Sequence, residues 1–176
     1  MSRKNFVPKE FAANAFEDRP IPLPENQTTS QPSLIAFILD KLDVSEGQKV
    51  LEVGTGFGFQ TALLSELAGE KGLVVSIEFF PSLFKEAKAR LKERKNVFLL
   101  QGDGKNGFPE KAPFDSMVVS AACDVLPPEL FKQLKTGGKI IYPKNTSFGQ
   151  QLVLVEKNLL GSNEMPLFPV SFVPLR

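Results

Sequence analysis

From residue 49 onward, the apolar and polar positions follow two alternating periods. Short, nearly continuous apolar runs at 49–53, 73–77, 97–100, 116–120 and 139–142 read as buried strands. Between them lie stretches with an apolar helical face, at 59–68, 82–95 and 128–134. In the second of these, Leu83, Phe84, Ala87 and Leu91 share one side and Pro81 opens the helix. Gly137 and Gly138 read as the stop of the third. Two late runs, 151–156 and 168–173, predict a hairpin-like pair of strands. Strands interleaved with amphipathic helices predict an α/β fold, a mostly parallel seven-stranded sheet with helices on both faces. Right-handed crossovers then bring a ligand to the carboxyl ends of the strands.

The segment before residue 47 has a different character. Residues 19–32 are rich in proline and polar groups and read as an ordered, extended loop. Ser30-Gln31-Pro32 predicts a helix start, with Ser30 as N-cap and Pro32 in the first turn. Leu34, Ile35, Phe37, Ile38 and Leu42 form its apolar stripe. With no internal repeat and no second composition, residues 1–176 read as a single domain.

Composition narrows the chemistry. A 176-residue chain that is 42% hydrophobic and 23% charged can bury a sizeable core. A net charge of +1 argues against a nucleic-acid partner held by bulk electrostatics. The basic run from Lys85 to Lys95 is interleaved with Glu86 and Glu93 and reads as a solvated helix face. No apolar run predicts a membrane span. A lone Cys123 excludes an intramolecular disulfide and fits a reducing, cytoplasmic setting. It reads as a small buried residue, since nothing local activates it. Histidine is absent, which removes histidine general bases, Ser-His and Cys-His pairs and His-based metal sites.

One stretch carries most of the ligand signal. Val50-Leu51-Glu52-Val53-Gly54-Thr55-Gly56-Phe57-Gly58-Phe59-Gln60-Thr61 is strand, glycine turn and helix start in succession. Such a turn brings bare backbone against a nucleotide-like ligand, and glycine supplies both positive φ and the missing Cβ. The glycines alternate, unlike the dinucleotide fingerprint, and no phosphate-loop Gly-Lys-Ser/Thr follows. Glu78 ends the second strand, about 20 residues on, where an acid can accept from both hydroxyls of a ribose. Asp103, between Gly102 and Gly104 after the third strand, can take an adenine's exocyclic amine. Either acid alone also reads as a solvated loop carboxylate. Phe57, Phe59, Phe79 and Phe80 surround these loops as candidate pocket wall or adenine stack.

The acid-led glycine turn resembles motif I of class I S-adenosylmethionine-dependent methyltransferases. Upstream, Phe6-Val7-Pro8, Ala15-Phe16-Glu17-Asp18, Pro22-Leu23-Pro24 and Gln27-Thr28-Thr29-Ser30-Gln31-Pro32 are similar to the N-terminal signature of protein-L-isoaspartate O-methyltransferases. Gly102-Asp103-Gly104, Pro113-Phe114-Asp115, Ala121-Ala122, Pro127-Pro128 and Pro169-Val170-Ser171-Phe172-Val173-Pro174-Leu175 extend the resemblance over the chain. It implies a Rossmann-like methyltransferase domain. Residues 1–46 would cover substrate and cofactor, 47–143 would bind the cofactor, and 144–176 would supply the C-terminal strands. It further implies methyl transfer from S-adenosylmethionine, leaving S-adenosylhomocysteine, to the α-carboxylate of L-isoaspartyl residues in damaged proteins. Ser30 matches the family's active-site serine, with Thr28 and Thr29 lining the same pocket. Glu52, Gly54, Thr55, Gly56, Gly58, Gln60, Glu78, Phe79, Gly102, Asp103 and Gly104 complete the implied cofactor set. Gln150 resembles a further position near it. No metal is implied, and the expected state is a cytoplasmic monomer whose partners are isoaspartyl-containing peptides and proteins.

That reaction suits a protein without histidine. A carboxylate has a reference pKa of about 4 and needs no base at neutral pH. Alignment of the two reactants is what remains, worth about 7–11 kcal/mol. The sequence departs from the family on the peptide side. Pro24-Glu25-Asn26-Gln27 stands where Ile-Gly, a further residue and Gly are more usual. Thr29 replaces the usual Ile, and Pro143-Lys144-Asn145-Thr146 stands where Pro-Val-Gly is common. Two other readings share the scaffold: a class I methyltransferase for another substrate, and a cofactor-binding homologue without turnover.

Overall fold

The computed structural model describes residues 1–176. An antiparallel ribbon of β1 (Ile21–Leu23) and β2 (Gln27–Thr29) precedes helix α1 (Pro32–Leu42). Then follow β3 (Lys49–Val53), α2 (Phe59–Ala68), β4 (Leu73–Glu78), α3 (Pro81–Leu91), β5 (Val97–Gln101) and β6 (Phe114–Val119). Helix α4 (Pro128–Gln133) leads into β7 (Leu134–Thr146), β8 (Gly149–Asn158) and β9 (Gly161–Val170). Strands β3 to β9 form one seven-stranded sheet in the order β5-β4-β3-β6-β7-β8-β9. The first five are parallel, and β8 runs antiparallel to both β7 and β9.

The two sheet faces are covered unequally. On one, Ile38 and Leu42 of α1 and Leu64 and Ala68 of α2 pack on Val50, Val74, Val118 and Ile141. Helix α3 joins α2 through Ala62, Ala87 and Leu91, with Phe6 in the same cluster. On the other face, Leu130 of α4 packs with Leu51, Val75, Met117, Ile140 and Tyr142. The chain turns from β3–β4–β5 on one side to β6–β7 on the other. The switch lies between β3 and β6, where a crevice opens at the carboxyl ends.

Several local expectations need correction. Helix α3 stops at Leu91, short of residue 95. Gly137 and Gly138 do not close α4. They lie inside β7, with Gly137 at φ 82, where the β6–β7 register shifts between Phe114 and Ser116. The carbonyls at the end of α4 go instead to the Lys157 ammonium of β8. It donates to Phe131 at 2.9 Å, Lys132 at 3.3 Å and Leu134 at 2.7 Å. The last strand starts at Gly161, well before residue 168, and stops at Val170; its exposed first half (Ser162 to Met165) carries no apolar run to mark it. Ser30 is not the N-cap of α1. Gln31 takes that position, and the first-turn amide of Ser33 donates to Asp18 Oδ1 at 2.8 Å.

Candidate active site

The crevice is a cleft of about 940 Å³, open mouth included. Its floor is the glycine turn. Gly54 and Gly56 hold φ of 97° and 58°, so a side chain at either would be strained. A Cβ on Gly54 would also crowd Ser120 Cβ at 3.2 Å. The Gly54 amide donates to Ile77 O at 2.9 Å, which ties the turn to β4. The Gly56 amide donates to Glu78 Oε2 at 2.8 Å, and the Phe80 amide to Glu78 Oε1 at 3.0 Å. Glu78 is thereby aimed along the cleft wall with lone pairs remaining on both oxygens. Its burial raises its pKa, and the backbone amides oppose that shift. Gly104 joins the wall from the turn after β5, where a Cβ would meet Val53 Cγ1 at 2.4 Å.

Beneath this floor sits a second layer. Glu52 is fully buried and does not line the cleft. It accepts from Gln60 Nε2 at 3.0 Å, from Ser76 Oγ at 2.7 Å and from the Thr61 hydroxyl. Ser76 also bonds Thr55 Oγ1 at 2.6 Å, and Gln60 reaches Ser120 Oγ at 3.2 Å. The Glu52 network therefore ends on three residues of the cleft wall, Thr55, Gln60 and Ser120. Burial pushes its carboxyl up to about 7, against the hydrogen bonds from Thr61, Ser76 and Gln60.

The facing wall comes from Gln27, Thr28, Thr29 and Ser30, with Ile35 of α1. The Ser30 carbonyl accepts from Arg3 Nη2 at 2.9 Å, and its hydroxyl has no partner within the chain. A third wall is the stretch from Phe172 to Arg176. It is sewn to the end of β6: the Ala122 amide donates to Val173 O at 2.7 Å, and the Leu175 amide to Ala122 O at 2.8 Å. Gln150 fixes Phe172 from both sides, accepting from its amide at 2.6 Å and donating to its carbonyl at 3.1 Å. The Arg176 guanidinium lies 5.3 Å from the centre of the Phe80 ring.

Of the expected cofactor set, Thr28, Thr29, Ser30, Gly54, Thr55, Gly56, Gln60, Glu78, Phe79 and Gly104 meet in this cleft. Glu52, Gly58, Gly102 and Asp103 do not. Glu52 supports the floor from below. Gly58 is the N-cap of α2 at φ 89°, and a Cβ there would meet Leu91 Cδ1 at 2.7 Å. Asp103 turns to its own chain, accepting from the Lys105 amide at 2.9 Å, with Lys105 Nζ 3.7 Å from its other oxygen. Ser120, Ala121 and the 172–176 stretch were not anticipated as walls. For Ser120 and Ala121 the signal was positional, the carboxyl end of β6 at the switch point; for the last stretch it was the resemblance of Pro169 to Leu175, which did not say that it forms a wall. Cys123 is half-buried with its thiol pushed up to about 11 by burial and Asp124, which suits no nucleophile.

The donor set fits an adenosyl ligand. Glu78 offers carboxylate acceptors for a ribose, the Gly54–Gly56 turn offers bare backbone, and Phe79 and Phe80 offer ring faces. The sequence matches the protein-L-isoaspartate(D-aspartate) O-methyltransferase family over residues 1–176. It is 43% identical to protein-L-isoaspartate O-methyltransferase of Anaeromyxobacter dehalogenans, across 99% of this chain and 85% of that protein. The Ignicoccus hospitalis enzyme of the same name is 42% identical over 98% of this chain and 83% of its own. A solved protein-L-isoaspartate O-methyltransferase superposes with a TM-score of 0.88 at 32% identity. That match covers 99% of this chain, which spans 58% of the solved one. A Plasmodium falciparum structure described as a putative enzyme of this kind has the same fold, with a TM-score of 0.88 at 23% identity over 85% of its chain. A glycine turn, a carboxylate at the end of β4 and a Gln27–Ser30 wall, in a chain matched from end to end, make this protein a member of the protein-L-isoaspartate(D-aspartate) O-methyltransferase family.

Proposed function

We infer that this chain transfers the methyl group of S-adenosylmethionine to the α-carboxylate of L-isoaspartyl residues in damaged proteins. The observation that carries this reading is the meeting of two walls in one cleft, the glycine turn with Glu78 and the Gln27–Ser30 strand. S-adenosylmethionine, when bound, supplies a methyl group already activated by its sulfonium. Glu78 would accept from its ribose hydroxyls, the Gly54–Gly56 backbone would pass beneath it, and Phe79, Phe80 and Gly104 would border its base. Ser30 would donate its hydroxyl to one oxygen of the substrate carboxylate, with Thr28 and Thr29 alongside. The other oxygen is then left to form the ester bond, and no proton has to move, because the carboxylate is ionised near neutral pH. Phe172, Val173, Pro174 and Leu175 would keep water from the meeting point of opposite charges.

No helix is long and apolar enough to cross a membrane. The lone thiol and the nature of the substrate support a cytoplasmic setting, and a monomer suffices because one chain supplies every wall of the cleft.

The test is methyl transfer from labelled donor to an isoaspartyl peptide beside its aspartyl twin. Base-labile methyl ester on the isoaspartyl peptide alone is the expected result. Transfer to neither peptide, with S-adenosylhomocysteine still bound, overturns the substrate assignment. Ser30→Ala should lower turnover by about tenfold or more, the loss of one hydrogen bond to a charged group. It should leave S-adenosylhomocysteine affinity unchanged.

A further inference from the structure

Four carbonyl oxygens from two separate stretches of chain converge on one buried guanidinium. Arg3 is 3% exposed. Its Nη1 donates to Ala15 O at 3.0 Å and Glu17 O at 3.2 Å. Its Nη2 donates to Arg19 O at 3.2 Å and Ser30 O at 2.9 Å. The remaining Nε is buried with no acceptor. The charge of Asp18 faces this guanidinium but forms no ion pair with it. Asp18 accepts instead from the Ser33 amide at 2.8 Å.

The two contacts bracket Gln31 and Pro32. Arg3 holds the carbonyl of Ser30, and Asp18 holds the amide three positions later, so the turn from Ala15 to Arg19 is clasped to the β2–α1 junction. None of the four carbonyls belongs to the seven-stranded sheet. The clasp therefore organises the wall that Ser30 lines and leaves the glycine-turn wall to its own hydrogen bonds. A planar fork of five donors can serve four carbonyls at once, whereas a lysine ammonium has three donors on one atom.

We propose that Arg3 is the positioning residue of the substrate wall, fixing with Asp18 the backbone of Ser30 so that its unpartnered hydroxyl is presented to the cleft. This rests on the placement of Ser30 on the substrate side, as argued above. It adds a role for two residues that touch neither reactant.

The experiment compares Arg3→Met, Arg3→Lys and Asp18→Ala with the full wild-type chain. It follows kcat and KM for an isoaspartyl peptide, affinity for S-adenosylhomocysteine, and amide hydrogen exchange over residues 27–33. Arg3→Met should lower kcat/KM by about 100-fold, mostly in kcat, with S-adenosylhomocysteine affinity within about threefold of wild type. Arg3→Lys should recover to about tenfold below wild type, since it can restore only part of the fork. Asp18→Ala, a change at an exposed side chain, should cost about threefold to tenfold and speed exchange at the Ser33 amide. The proposal is overturned if Arg3→Lys and Asp18→Ala keep kcat/KM within twofold. It is equally overturned if the variants lose cofactor affinity in step with turnover, which marks a general structural role. Should Arg3→Met not fold, the other two variants decide by the same criteria. Should the wild type methylate no isoaspartyl peptide, the functional reading fails separately, and exchange decides for Arg3. Faster exchange across 27–33 in Arg3→Lys and Asp18→Ala sustains the clasp, and unchanged exchange removes it.

Discussion

The glycine-turn wall takes Gly54 and Gly56 from the turn after β3 and Glu78 from the end of β4, neighbouring strands whose register sets Glu52 against Ser76 and Val53 against Ile77. The facing wall, Gln27 to Ser30, has no place in that sheet. It hangs on a three-residue ribbon, the Arg3 fork and the Asp18 carboxylate. Its turn at Pro24–Asn26 even runs through two non-glycine residues in the left-handed region, Glu25 at φ 62° and Asn26 at φ 56°. One wall is held by many backbone bonds between adjacent strands, and the other by a few side-chain bonds between distant residues. The first should tolerate little change in its residues but keep its shape. The second can drift in sequence, as the family departures at 24–29 do, provided its few anchors survive.

The largest test of this contrast concerns the layer under the first wall. Glu52 titrates at about 7 in the folded protein against an ordinary value of 4.5. Between those values the folded state keeps a proton that the unfolded state has lost. The stability from this site is therefore fully present below about pH 4.5 and is lost as pH rises through 7. The slope is about 1.4 kcal/mol per pH unit, or about 3 kcal/mol in all. Glu52→Gln cannot titrate, so urea melts should show its stability relative to wild type improving by that amount from pH 4.5 to 8. A pH-independent difference would mean that Glu52 is ionised in its pocket throughout.

Next in size, Glu78→Ala should weaken S-adenosylhomocysteine binding about 100-fold, near 2.7 kcal/mol by calorimetry. Asp103→Ala should cost less than about tenfold, because its Oδ1 is engaged with the Lys105 amide outside the cleft. The reverse order would restore Asp103 as the main contact. Gly58→Ala should lower stability by about 1–2 kcal/mol through its positive φ and the Leu91 contact, with little change in ligand affinity. An equal loss of affinity would return Gly58 to the cofactor set. The smallest effect belongs to the second wall. Glu25→Gly relieves a left-handed residue worth about 1 kcal/mol but gives up the exposed bond from Ser82 Oγ. A thermal melt should rise slightly, and a marked fall would show that the Ser82 bond anchors the ribbon.

The two walls were unequally legible for the same reason. The glycine turn, its strands and Glu78 follow from local pattern, since apolar runs, glycine spacing and strand ends all lie within a short stretch of sequence. The facing wall, Gln27 to Ser30, follows only from the family resemblance, because nothing in the periodicity of 19–32 points to a cleft. Where local reasoning failed, a distant side chain had taken the local role. Asp18 replaced Ser30 at the start of α1, and Lys157 replaced the glycine pair at the end of α4. A sequence window cannot see a partner that far away. Glu52 and Asp103 show a different limit: the motif marks both, but only coordinates show that neither lines the cleft, Glu52 bracing it from below and Asp103 bonding to Lys105.

The bonds between Ala122 and residues 173–175 bear on how the protein comes into being. The glycine turn needs only β3, β4 and their neighbours, whereas one side of the cleft is built from residues 172–176. A growing chain can thus assemble the parallel strands early, yet lacks a finished site until that stretch emerges and docks. Molecules clipped before residue 172 would keep the glycine turn but lack one wall of the cleft.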